Sequence, residues 1–240
     1  MVPQGVSEAR RDGKYNDPMP ATTPSNATSE RVLAVLGGRD ASLESLAAWA
    51  ASSEYVIAAD GGADVLAAAG ARCDLAVGDL DSIGPAGLAL ARETVRIEDQ
   101  DTTDCDKLLD EAWRRGVRSL SVFGLEGDRL DHLLASVSSL VRSPLRSRLV
   151  LRQALAWLVR PGQEVALDLP PGRVVSALPL QPCDGVWLTG VRWPLSDAAL
   201  SPGGRVSVSN ESLGGEVACR MRDGALLLFA ESAEGEAPWW

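Results

Sequence analysis

The chain has 240 residues, of which 45% are apolar, enough for a sizeable core, and its formal charge of −10 repels a phosphate backbone and argues against a broad nucleic-acid surface. No apolar run reaches the roughly 18 residues of a membrane span and no basic-then-apolar leader opens the sequence, so neither a membrane segment nor a secretory signal is expected, and the cytoplasm is the expected compartment. Cys73, Cys105, Cys183 and Cys219 are too scattered for a CxxC metal knuckle or a disulfide framework and are read as reduced.

Residues 1–29 mix Pro, Ser, Thr, Asn and charge without apolar periodicity and are expected to form a disordered tail. From Val32 the texture becomes βαβ. VLAVLGG (32–38), YVIAAD (55–60) and LAVGD (75–79) read as strands, with helices over about 41–51 and 62–69, the second stopped by Gly70. A helix from Pro85 to Arg92, a short VRI strand, a Thr-capped helix over 104–115 ending at Gly116, the strand LSVFG (120–124) and a helix over 130–142 follow. Strands joined by helices predict an α/β domain over residues 30–147 with a doubly wound, mainly parallel sheet. Beyond about residue 148, VLRQALAWLV, EVALDL, VVSALPL, VWLTGV, RVSVSN, EVACRM and ALLLFA are short runs punctuated by Pro and Gly, which predicts a smaller all-β sandwich over 148–240.

Carboxylates mark the chemistry. Open α/β sheets bind ligands at the carboxyl ends of their strands, where Asp60, Asp79 and Asp81 all fall. An Asp-x-Asp behind a strand suits a hard cation held by one or two carboxylates and phosphate oxygens; the same residues also make an ordinary solvated turn. In EDQDTTDCDK (98–107) five acids crowd the mouth of a predicted helix. First-turn electrostatics and a Thr103/Asp106 capping box account for two of them. A metal shared with Asp79 and Asp81 accounts for the rest most economically, and Lys107, one turn in, is placed to reach an anionic ligand. In GLEGDRLDH (124–132), Gly124 and Gly127 allow close backbone approach and Arg129 offers a phosphate fork; the alternative is an internal Arg129–Asp131 pair. His132 reads as a packed or capping residue. No Walker A sequence is present.

These segments in order, AADGGAD (58–64), DLAVGDLDSI (74–83), DQDTTDCDK (99–107), GLEGDRLDHLLAS (124–136) and LTGVRWPLSDAALSPGGRVSVSNE (188–211), resemble the thiamine pyrophosphokinase family from Val32 to the C-terminus. The resemblance implies transfer of a pyrophosphoryl group from ATP to thiamine with Mg2+, giving thiamine diphosphate and AMP, in a homodimer whose active sites lie between subunits. By position, Asp79, Asp81 and Asp104 match the family's metal-binding acids. Asp60, Gly61, Gln100, Thr103, Lys107, Gly127, Arg129 and Asp131 fall in its nucleotide and phosphate region, and Trp193, Ser209 and Asn210 face thiamine. Asp64 departs from the pattern, standing where many relatives have Asn. Another Mg-dependent nucleotide-using transferase, a phosphatase built on the Asp-x-Asp, and a catalytically silent thiamine or nucleotide binder are the rival readings, and simple sandwich packing is the rival role for Trp193.

Overall fold

The computed structural model describes residues 31–38 and 42–232; the expected tail over 1–29 lies outside them. The chain runs β1 (Val32–Val35), α1 (Leu43–Ser52), β2 (Tyr55–Ala59), α2 (Gly62–Ala68), β3 (Leu75–Gly78), α3 (Pro85–Leu90), β4 (Thr94–Arg96), α4 (Asp104–Arg114), β5 (Ser119–Phe123), α5 (Leu130–Arg142) and β6 (Arg146–Val150). Strands alone follow: β7 (Ala154–Val159), β8 (Glu164–Leu169), β9 (Val174–Pro179), β10 (Cys183–Thr189), β11 (Leu195–Leu200), β12 (Ser207–Glu211), β13 (Gly215–Arg220) and β14 (Leu226–Glu231).

A ten-stranded sheet in the order β12-β9-β14-β7-β6-β5-β1-β2-β3-β4 forms the spine. From β6 to β4 all neighbours are parallel, while β7 turns antiparallel to β6 and β14, β9 and β12 continue so. The central strands are continuous apolar runs because helices cover both faces. Leu46, Trp49 and Leu66 of α1 and α2 pack on Leu33, Val35 and Val56, and Leu108, Leu109 and Leu140 of α4 and α5 pack on Ala34, Ile57 and Val122. Each such leucine contributes about 1.5–3 kcal/mol by leaving water. Arg160 fastens the C-terminal end of α5, donating to the carbonyls of Leu140 and Ser143 as well as that of Leu145.

A second sheet, β11-β10-β13-β8, lies over the antiparallel end of the first. Val186, Leu188 and Val217 meet Val175, Leu226 and Leu228 between the two sheets. This is the expected sandwich, yet the large sheet passes unbroken through residue 148, since β5, β6 and β7 are consecutive neighbours. VLRQALAWLV divides into the end of β6 and the whole of β7, joined by a tight turn. The strand β11 has no counterpart in the sequence reading: LSDAAL buries only Leu195, Ala198 and Leu200, and shifts of register against β10 break its alternation. All four cysteines are buried free thiols.

Sequence order and sheet order diverge between β1 and β5, since β2, β3 and β4 extend one way and β6 the other. Open α/β sheets place their ligand crevice at such a divergence, at the carboxyl ends of the strands. The backbones after β1 and β5 meet there, with Gly38 N donating to Gly124 O at 2.9 Å. A Cβ on Gly124, whose φ is +78°, would fall 2.4 Å from the Leu36 carbonyl oxygen, so only glycine fits.

Candidate active site

Three carboxylates converge one and two strands from that crevice. Asp60, Asp79 and Asp104 each present an oxygen within 4.8 Å of the others. The register of β2 on β3 sets Ala59 opposite Val77, which carries Asp60 to the side of Gly78. Because Gly78 has no side chain, the Asp60 side chain lies where a Cβ there would meet its Cβ at 3.1 Å and its carboxyl at 3.3 Å. Asp60 holds φ +38°, an uncommon value outside glycine, and its N–H donates to Val77 O at 2.9 Å.

The third acid comes from α4. Thr103 caps that helix through a capping box with Asp106, as the sequence predicts, and Asp106 is further tied to Arg142 at 2.8 Å. Rigidly started, α4 delivers Asp104 and Lys107 three residues apart on one face. The Lys107 ammonium is buried, 3.2 Å from Asp104 Oδ1 and 3.6 Å from Asp79 Oδ2. Burial opposes its charge, but Asp104 and Asp79 outweigh that and hold its pKa above the ordinary lysine value.

The acids are electrostatically unequal. Burial, with the Asp79 carboxyl and the Asp104 charge beside it, pushes Asp60 up to about 6. The Asp81 N–H donating to its carboxylate, aided by Asp60 and Lys107, holds Asp79 down to about 2. Both Asp60 oxygens are buried, and neither meets a hydrogen-bond partner at good geometry among the described residues, although the Ser82 backbone and the Asp79 carboxyl lie near enough to act on its charge. A buried carboxylate without donors is unfavourable unless a proton or a cation meets it. Three hard oxygen donors, one of them otherwise unsatisfied, fit a divalent cation of the Mg2+ type.

Asp60 thus joins Asp79 and Asp104 in one carboxylate trio, whereas the resemblance sets it among the nucleotide and phosphate residues. The sign that could have found it is its place at a strand end like that of Asp79, one strand away. Asp81 is exposed on the lip of the same loop, its Oδ1 accepting the Ser82 hydroxyl at 2.9 Å, and it lies outside the trio. Gln100 Nε2 donates to Asp79 Oδ2 at 3.4 Å, and Gly61 starts α2 behind Asp60. The Thr103 hydroxyl is committed to its cap. Gly127 takes a left-handed turn at φ +82°, and next to it Arg129 is exposed and paired with Asp131 at 2.6 Å, so the internal pair is the arrangement seen. His132 bonds Asp128 at 2.9 Å.

The sandwich contributes a separate group. Trp193, between β10 and β11, is 58% exposed rather than packed, with the Arg192 guanidinium 5.3 Å from its ring centre. Buried Asn210 holds it from below, accepting from Trp193 N at 3.0 Å and donating to Trp193 O at 2.7 Å. Its amide is spent on the Trp193 backbone. Ser209, at φ +54°, donates its N–H to Ser176 Oγ in the bulged stretch of β12.

Asp60 makes stability depend on pH in a defined direction. Folded, it keeps its proton up to about pH 6, whereas unfolded it loses it near 3.8. The folded chain binds the extra proton between those values, so this contribution is full below the lower pH and is lost as pH rises through the upper one. Asp79, depressed, gives its share throughout that window and loses it only as pH falls through about 2. In chelator, wild type is expected to lose thermal stability relative to Asp60→Asn between about pH 4 and pH 7. Melting midpoints that run parallel over that range remove the assignment.

Against known proteins, the family model described as thiamin pyrophosphokinase, catalytic domain, matches residues 46–151, and that described as thiamin pyrophosphokinase, vitamin B1 binding domain, matches residues 163–226. A thiamine pyrophosphokinase of Bacillus subtilis is 28% identical over 192 residues, which cover 74% of this chain and 87% of that protein. A thiamin pyrophosphokinase family protein of Enterococcus faecalis has the same fold, with a TM-score of 0.71 and 24% identity over 85% of this chain and 100% of that one. Thiamin pyrophosphokinase of Candida albicans superposes with a TM-score of 0.69 at 17% identity, over 84% of this chain and 90% of that one. The carboxylate trio lies within the first matched segment, and Trp193 and Asn210 lie within the second.

Proposed function

The chain is an enzyme of the thiamin pyrophosphokinase family, and from that premise we propose that it transfers the pyrophosphoryl group of ATP to the hydroxyl of thiamine, releasing AMP. One observation carries the reading: three carboxylates within 4.8 Å of one another, closed by the buried Lys107, inside the segment matched as catalytic domain.

Asp60, Asp79 and Asp104 would hold Mg2+, with Asp81 at the lip of the same loop. Bound there, the cation neutralises phosphate charge and orients the triphosphate. Lys107 meets phosphate oxygens from beneath, and Arg129 exchanges its solvent-exposed bond to Asp131 for a fork on phosphate. Attack at the β-phosphorus spreads charge over those oxygens, so placing cations against them is the main catalytic task. Asp81 carries no cationic partner among the described residues, which suits it to take the proton from the thiamine hydroxyl. Thiamine itself is a cation with flat rings, and the exposed Trp193 face, its backbone held by Asn210, suits it, with Ser209 next to Asn210 in the chain.

The two halves, 30–147 and 148–240, divide the substrates between them, and the chain pairs with a second copy. Exposed Leu130 and Leu134 on α5 and Val174, Leu178 and Val208 on the sandwich support that pairing. No helix among the described residues is long and apolar enough to cross a membrane.

The test is incubation of the purified chain with ATP, Mg2+ and thiamine, with separation of the products. Equimolar AMP and thiamine diphosphate are expected. ADP or free phosphate without thiamine diphosphate would favour a different transferase or a phosphatase, and binding without turnover a silent binder. Sedimentation of the same sample reads the pairing, which a monomer at assay concentration refutes.

A further inference from the structure

Asp60 and Asp64 lie four residues apart across the start of α2, and they hold opposite ends of one problem. Asp60 supplies a carboxylate to the trio, while Asp64 reaches the loop that leaves β3. Its Oδ2 accepts from Gly84 N at 2.6 Å and its Oδ1 from Gly87 N at 2.9 Å. Gly84 is the N-cap of α3 and has no side chain to bond the first amides of that helix. A neighbouring helix thus supplies the oxygen acceptors that a capping Ser or Asp provides elsewhere.

The contact leaves no slack. A Cβ on Gly84 would fall 2.8 Å from Asp64 Oδ1, and one on Gly87 would fall 2.8 Å from Asp64 N, so α3 lies directly against the backbone of α2. Residues 79–84 are strung between the end of β3 and this anchor. Asp79 begins the segment, and Leu80 follows at φ +64°.

We propose that Asp64 is a positioning residue for the carboxylate site: by bonding Gly84 and Gly87 it sets where the Asp79 loop lies relative to Asp60, and thereby the affinity of the trio for a divalent cation. This rests on reading the trio as the cation site of the enzyme. Asp64 bonds none of the three acids itself, so its influence passes through the loop, as outer-shell residues act on metal ligands elsewhere.

The test titrates Mn2+ alone against the full-length wild type and the Asp64→Ala and Asp64→Asn variants, reading free Mn2+ by electron paramagnetic resonance. Both variants lose the same charge, but Asn keeps one oxygen acceptor for the loop. Asp64→Ala is expected to weaken binding about tenfold and Asp64→Asn by no more than about threefold. Saturating Mg2+ should then recover kcat in Asp64→Ala while its KM for Mg2+ stays raised. Equal affinity in all three proteins overturns the proposal, and so does an Asn variant as weak as the Ala variant, which would reduce the effect to charge. Amide exchange in the wild type checks the anchor without a substitution. Gly84 and Gly87 should exchange well below the intrinsic rate of an unbonded amide, and exchange at that rate overturns the proposal even if Asp64→Ala fails to fold. Failure of the wild type to form thiamine diphosphate would sink the reaction assigned above, whereas Mn2+ binding needs no nucleotide and still judges Asp64.

Discussion

Asp79→Asn is expected to lower turnover about a hundredfold to a thousandfold while lowering the melting midpoint in chelator only modestly. The two halves of this expectation have one cause. Asp79 lies among like charges, with an oxygen each from Asp60 and Asp104 within 4.8 Å. Removing its charge lets Asp60 ionise more easily but also gives up the Asp81 N–H bond and the Lys107 ion pair that favour the ionised Asp79, so the empty site loses a little stability. The same removal takes away the carboxylate that is ionised most readily, since Asp79 is held down to about 2. Measured turnover with saturating ATP, Mg2+ and thiamine, alongside thermal melting, reads both. A variant that loses stability in proportion to activity would make Asp79 a structural residue and remove it from the chemistry.

Lys107→Met separates the lysine from the acids in the opposite way. Its ammonium is buried and is the cation nearest both Asp104 and Asp79, at 3.2 and 3.6 Å. Methionine fills the space but leaves the carboxylates facing one another. Breaking a fully buried pair costs about 3–5 kcal/mol. Asp104 is half exposed, so about 2 kcal/mol is the expected loss in chelator, or roughly 4–8 °C in the melting midpoint. Mg2+ should restore much of that stability, and by more than it raises the wild type, because the variant site carries one more uncompensated negative charge. Turnover should nonetheless fall about a hundredfold, since the cation that meets the phosphates is gone. An unchanged melting midpoint in chelator together with normal turnover would refute the role of Lys107.

Much of this site was legible in one dimension. Asp79 and Asp104 each stand where an apolar run ends or a helix begins, and Thr103 with Asp106 announces the capping box that starts α4. Helix α5 begins and ends where the periodicity of LDHLLASVSSLVR places it, because its apolar stripe and the Pro144 beyond it are local signals. The strand β11 was not legible, because its alternation is interrupted where it shifts register on β10.

What the sequence by itself determined is most of the order of strands and helices, the family, and the set of acids and cations available for chemistry, since each depends on neighbours in the chain or on motifs read in a row. What only the tertiary structure decided is which of those acids meet. Asp79 and Asp81 are two residues apart, yet the turn at Leu80 leaves Asp81 on the exposed lip. Asp60 is 19 residues before Asp79 in the sequence, yet the β2–β3 register sets it against Gly78 and beside Asp79. Asp64 closes the AADGGAD motif, yet its bonds to Gly84 and Gly87 were not legible there, because those amides belong to another helix. Strand register and helix contact are long-range properties of the packed sheet, and no local spacing encodes them.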